Sequence, residues 1–151
     1  MRVLLDTNIL ISHLLRPTYE GPSARIVRGA LAETFTLLLP QELVDELASR
    51  VLTKPYLRRY IQPEDVRELA DLLLEVADVL PPLEYPIPKV TRDPKDDYLL
   101  AYAVVYEADY LVSGDKDILV LGEVEGVRML SPREFVSLLE QNADDNVLGE
   151  P

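Results

Sequence analysis

At 151 residues, 48% of them hydrophobic, the chain suits one domain with a real core, and it holds no apolar run long enough to span a bilayer. It contains no cysteine, which excludes disulfides and thiolate metal sites and is compatible with a reducing cytoplasm. With 15 Lys and Arg against 27 Asp and Glu, the formal charge is −12, a surface that repels nucleic acid unless cations or a local basic patch offset the field.

Val3, Leu4 and Leu5 form an unbroken apolar run, the mark of a strand buried on both faces of a parallel sheet. No basic region or cleavage site precedes it, so no secretory signal is expected. Asp6, Thr7 and Asn8 follow at once, and helical spacing starts at Ile9. Asp6 thus stands where a central strand hands over to a helix, the edge at which open α/β sheets bind ligands. Its ordinary structural role there is to cap the helix. The single histidine, His13, falls in this helix and reads as an ordinary helix residue.

Pro22 opens a helix to Leu31, and Phe35 to Leu39 is the second strand. Leu43, Val44, Leu47, Ala48, Val51 and Leu52 mark the next helix by their 3.6-residue stripe. Tyr56 to Tyr60 reads as a basic-aromatic turn or short helix, with Arg58 and Arg59. Pro63 starts another helix, to about Ala77. Val79-Leu80 reads as a short strand, followed by a stiff proline-rich loop through Pro88. A helix from Asp93 to about Glu107 leads to a fourth strand at Tyr110 to Ser113. A helical turn near Lys116 to Leu121 and a fifth strand at Val127 to Leu130 come next. Ser131-Pro132-Arg133-Glu134 is a capping box opening a last helix to about Gln141. Residues 1–141 then form one domain, and 142–151 a polar, disordered tail. Strands alternating with helices imply an α/β fold with a parallel sheet of about five strands covered on both faces.

Most of the clustered acids have an ordinary explanation, and Asp97 does not. Asp93 and Asp96 suit a helix cap with Pro94 at its first position. Asp97 instead continues the apolar stripe of Leu100, Ala101 and Val104, and an inward carboxylate is costly unless paired or bound to a metal. Ser113-Gly114-Asp115-Lys116-Asp117 follows the fourth strand and so reaches the same edge as Asp6. An EF-hand counted from Asp115 fails, with Val120 at the glycine position and Gly126 at the glutamate position. In the Glu42 to Leu47 helix, the helical wheel places Asp45 nearer the apolar stripe than Glu46, and both read as solvated charges. Clustered carboxylates prefer hard cations such as Mg²⁺ or Mn²⁺. A glycosidase pair is a poorer fit, because the cluster is larger and sugar-stacking Trp is absent.

Four segments together resemble the PIN-domain nucleases, especially the compact VapC-like toxins of toxin–antitoxin pairs. They are Leu5 to Leu10, Val44 to Leu47, Asp93 to Ala101, and Leu111 to Asp117. The resemblance spans Met1 to about Leu139. It implies a three-layer α/β/α sandwich and a single-stranded RNA endonuclease using Mg²⁺ or Mn²⁺. By position, Asp6, Glu46, Asp97 and Asp115 become the catalytic and metal-binding acids. Asn8, Ser113 and Asp117 become supporting residues. Choosing Glu46 over Asp45 rests on the resemblance alone. The family's toxins also imply an antitoxin protein and a homodimer, whose contact surface is expected around Tyr56 and Tyr60. Arg58, Arg59, Lys89 and Arg92 are candidates for phosphate contacts, or ordinary surface charge. Two rival readings are a non-catalytic RNA- or protein-binding module of the same fold and an acidic-pocket phosphotransfer or receiver domain.

Overall fold

The computed structural model describes residues 1–84 and 94–149, with side chains described at 1–84 and 97–145. The Asp93 cap, Lys89, Arg92 and the distal proline loop lie outside the described residues, as does the side chain of Asp96. The elements run β1 (Arg2–Leu5), α1 (Thr7–Leu15), α2 (Pro22–Leu31), β2 (Thr36–Pro40), α3 (Gln41–Thr53), α4 (Pro55–Tyr60), α5 (Pro63–Val76) and β3 (Asp78–Leu80). Then come α6 (Pro94–Val105), β4 (Tyr110–Val112), α7 (Lys116–Leu119), β5 (Glu123–Val124), β6 (Val127–Leu130) and α8 (Pro132–Gly149).

The strands form one sheet in the order β3-β2-β1-β4-β6-β5. All pairs are parallel except β5 with β6. β1 is central, with Val3 opposite Leu37 of β2 and Leu4 opposite Leu111 of β4. Its Val3, Leu4 and Leu5 are buried, as an apolar run covered on both faces requires. Helices α1, α2, α3, α5 and α8 pack against one another, while α6 packs on β1 and β4. The result is the expected α/β/α architecture. Phe35 and Phe135 meet edge-on, ring centroids 5.1 Å apart, where α8 closes on the core.

Most elements match the sequence reading to within a residue or two, and two depart further. Strand β5 was not expected. It is only two residues long, Glu123 and Val124, and a tight turn through Glu125 (φ 51°) and Gly126 (φ 85°) folds it back on β6. Positive φ at both turn residues matches the twist of a two-residue hairpin, but Glu is not a residue that announces it. Helix α8 runs on to Gly149 rather than ending near Gln141, so the polar segment from 142 is helical where disorder was expected. Extending a nucleated helix is cheap. The capping box does form: the Ser131 N–H donates to Glu134 Oε1 at 3.0 Å and the Glu134 N–H to Ser131 Oγ at 3.2 Å.

Candidate active site at the carboxyl edge

The strand order reverses between β1 and β4. From β1 the chain builds outward through β2 to β3, then crosses by α6 to β4 on the other side. A crevice opens at the carboxyl ends of the strands flanking such a switch point. Asp6 lies there, directly after β1, and Ser113 directly after β4. The Asp6 N–H continues the ladder to the Val112 carbonyl at 2.9 Å. Ser113 Oγ donates to Asp6 Oδ2 at 2.7 Å, and the Asn8 N–H reaches Asp6 Oδ1 at 3.3 Å. Asp6 therefore caps α1 and is tied across the switch point at the same time. Ser113 Oγ also accepts from the Asp115 N–H at 3.0 Å, and Asp115 Oδ1 accepts from the Asp117 N–H at 2.9 Å.

Helix α3 approaches from the other side. Thr7 Oγ1 donates to Glu46 Oε2 at 3.1 Å, which brings Glu46 to the residue next to Asp6. Glu42 lies one turn before Glu46 on the same helix face. Its Oε1 accepts from the Tyr102 hydroxyl of α6 at 2.6 Å. Tyr98, one turn before Tyr102, stands edge-on to it with centroids 5.4 Å apart. The Tyr98 hydroxyl is buried without a hydrogen-bond partner among the described residues. Burial foremost, then Glu46, Glu42, Tyr102 and Asp6, push its pKa well above the ordinary phenol value. Burial, followed by the bond to Glu42, pushes Tyr102 up to about 12.

Asp97 sits beside Tyr98 in the first turn of α6 and is only 5% exposed. α6 leads from the end of β3 to the start of β4, so it runs against the strands and begins at the same carboxyl edge. Of the stripe read from the sequence, Leu100 is buried while Ala101 and Val104 are half-buried; Leu99 and Ala103 are buried with Leu100, and Asp97 is turned inward as expected. Asp6, Thr7, Asp97 and Ser113 are the buried polar or charged side chains among the described residues.

The geometry thus links Asp6 to Ser113 and Asp115, and Glu46 to Thr7, with Asp6 and Glu46 both in the field of Tyr98. The helical-wheel preference for Asp45 is overturned: Asp45 is exposed, and Glu46 turns inward to Thr7. Asn8 contributes its backbone N–H, while its side chain is exposed. Asp117 is exposed and serves Asp115 through its N–H alone. His13 lies half-buried in α1, its pKa lowered by burial and by Arg28. Thr7, Glu42, Tyr98 and Tyr102 received no role from the sequence. The signal was two i,i+4 pairs, Glu42 with Glu46 and Tyr98 with Tyr102.

Two buried carboxylates, two half-buried ones and neighbouring hydroxyls are hard oxygen donors, the set that suits Mg²⁺ or Mn²⁺. The charged side chains acting on Tyr98 are all acids, a field that a cation relieves. Among the described residues, no three acids or histidines are gathered closely enough to enclose an ion. Asp6 and Asp115 are instead engaged by Ser113 and the N–H groups of Asn8 and Asp117.

No curated protein matches the chain. A chain in the crystal structure of VapBC2 from Rickettsia felis bound to a DNA fragment from their promoter is similar in fold. It has a TM-score of 0.57 at 11% identity, covering 87% of this chain and 98% of that one. The PIN domain family matches residues 2–117, from the start of β1 through the Asp115–Asp117 turn. The chain belongs to the PIN-domain family.

Proposed function

We propose that this protein is a metal-dependent endonuclease of single-stranded RNA, acting in the cytoplasm as the toxin of a toxin–antitoxin pair. The observation that carries the reading is Asp6, buried and held by Ser113 at the β1/β4 switch point, in the same acidic field as Glu46. Membership of the PIN-domain family supports nuclease chemistry. The similar chain from the VapBC2 complex supports an antitoxin partner. Among the described residues no helix is long and apolar enough to cross a membrane. A homodimer belongs to the same reading.

Asp6, Asp97 and Asp115 would hold the cation, and Glu46 would hold it or orient the attacking water. Bound Mg²⁺ or Mn²⁺ supplies Lewis-acid polarisation of the phosphate and an acidified water. Ser113 fixes the rotamer of Asp6, and Thr7 that of Glu46, so both carboxylates are positioned before substrate arrives. Water attacks phosphorus in line, and the bond to the 3′ oxygen breaks. The products carry a 5′-phosphate and a 3′-hydroxyl.

The rival of a non-catalytic binding module draws on one observation: Asp6 and Asp115 already accept internal hydrogen bonds. The two readings separate on incubating the protein with structured and unstructured RNA in Mn²⁺, Mg²⁺ or chelator and analysing the product ends. Metal-dependent cleavage with 5′-phosphate ends supports the nuclease. Intact RNA under every condition supports the module.

A further inference from the structure

Residues 50–62 read Arg-Val-Leu-Thr-Lys-Pro-Tyr-Leu-Arg-Arg-Tyr-Ile-Gln. This stretch carries Arg50, Lys54, Arg58 and Arg59 and no acid, in a chain whose net charge is −12. The fold makes a surface of it. Leu57 and Ile61 are buried and anchor α4 to the core. The remaining side chains of the helix project outward. Tyr56 and Tyr60, one helical turn apart, are 60% and 63% exposed. Lys54, Arg58 and Arg59 are exposed too, and none forms an ion pair among the described residues. Beside them opens a cavity of about 470 Å³ lined by Val51, Leu52, Arg58, Ile61, Gln62 and Pro63. Its lining combines apolar side chains with one guanidinium and one amide, a mixed surface that suits a flat base with polar edges. Arg50 Nε, in the last turn of α3, is buried without an acceptor among the described residues.

We propose that α4 and the adjoining end of α3 form a stacking platform for single-stranded RNA, with bases on Tyr56 and Tyr60 and phosphates on Lys54, Arg58 and Arg59. Exposed aromatics interleaved with unpaired cations are the chemistry that holds single strands without sequence preference. A polyanion gains from this local positive field, while the rest of the surface repels it. From Glu46 to Lys54 the rise along α3 is about 12 Å, so a strand on the platform reaches the carboxyl edge. The choice of RNA rests on the nuclease reading; the surface does not.

The test is fluorescence anisotropy of a labelled uridine decamer in chelator, where cleavage plays no part. Tyr56→Ala and Tyr60→Ala each weaken binding about tenfold. Tyr56→Phe and Tyr60→Phe retain it, since stacking needs the ring and not the hydroxyl. Arg58→Gln with Arg59→Gln lowers the slope of log K against log salt by about 1.4 in magnitude, as two lost phosphate contacts require. Circular dichroism confirms that the exposed substitutions leave the fold intact. Parent-like binding by the alanine variants overturns the platform. So does equal affinity for a duplex of the same length. Light scattering provides a third check: alanine variants that turn a dimer into a monomer while binding RNA normally make this face a contact between two copies and overturn the proposal. A parent that binds in this way but never cleaves in Mn²⁺ upholds the platform and sinks the nuclease reading. A parent that cleaves while the variants bind normally does the reverse.

Discussion

Ser113 Oγ and Asp6 Oδ2 meet at 2.7 Å, joining the end of β4 to the end of β1 between two buried side chains. The hydroxyl is one of few donors available to a carboxylate out of reach of bulk water. A hydrogen bond to a charged group contributes roughly 1.5–3 kcal/mol, and an orphaned buried acceptor costs a similar amount. Ser113→Ala should therefore lower stability by about 2 kcal/mol in urea unfolding. A change below about 0.5 kcal/mol would mean that the bond does not form.

Tyr102 gives a pH signature. Its folded-state pKa is raised to about 12, chiefly by burial and then by its bond to Glu42. Between the ordinary value near 10 and about 12, the unfolded chain releases the phenol proton while the folded chain keeps it. Stability is thus fully present below the lower value and is lost as pH rises toward the upper one. Urea unfolding across this window should show the loss, and Tyr102→Phe should flatten the Tyr102 part of it. An identical alkaline slope in the variant would contradict the burial of Tyr102 and its bond to Glu42.

How much of this was legible in the residues follows from their kind. Val3 to Leu5 reads as a central strand because only burial on both faces tolerates such a run. Asp97 reads as inward because the helical period carries it onto the side of Leu100. Glu46 was not legible from the wheel. What turns it inward is Thr7, from a different element, and a tertiary hydrogen bond leaves no periodic trace. The same holds for Tyr102, whose partner Glu42 lies 60 positions away. β5 escaped because two residues, Glu123 and Val124, are too few to show an alternation.

The contrast between Glu46 and Asp45 is directly testable. Glu46→Gln keeps the shape but loses the charge beside Asp6, and RNA cleavage should fall by at least about a hundredfold if it acts on the proton of the attacking water. Asp45 is exposed, and Asp45→Asn should leave the rate within about twofold, as expected for a surface charge. Reversal of the two effects in a cleavage time course would restore the helical-wheel preference.

Metal should be visible in stability as well as in rate. Mn²⁺ at about a hundred times its dissociation constant stabilises a one-site protein by about 2.7 kcal/mol. Asp97→Asn should lose most of that response. If the acids converge as the proposed site requires, the same substitution in chelator should raise stability, because like charges held together penalise the ionised form. Thermal unfolding of both proteins, with chelator and with Mn²⁺, reads all four values. An apo variant weaker than the apo parent, with an equal metal response, would show Asp97 to be only a helix-start charge.

Cleavage of an unstructured RNA by the parent, Asp6→Asn and Asp97→Asn, each in Mn²⁺ and in chelator, measures whether the acids at the carboxyl edge form a metal-dependent nuclease site. The expected result is cleavage by the parent in Mn²⁺ alone, with each substitution removing most of it. Equal cleavage in chelator, or parent-like rates in both variants, would contradict it.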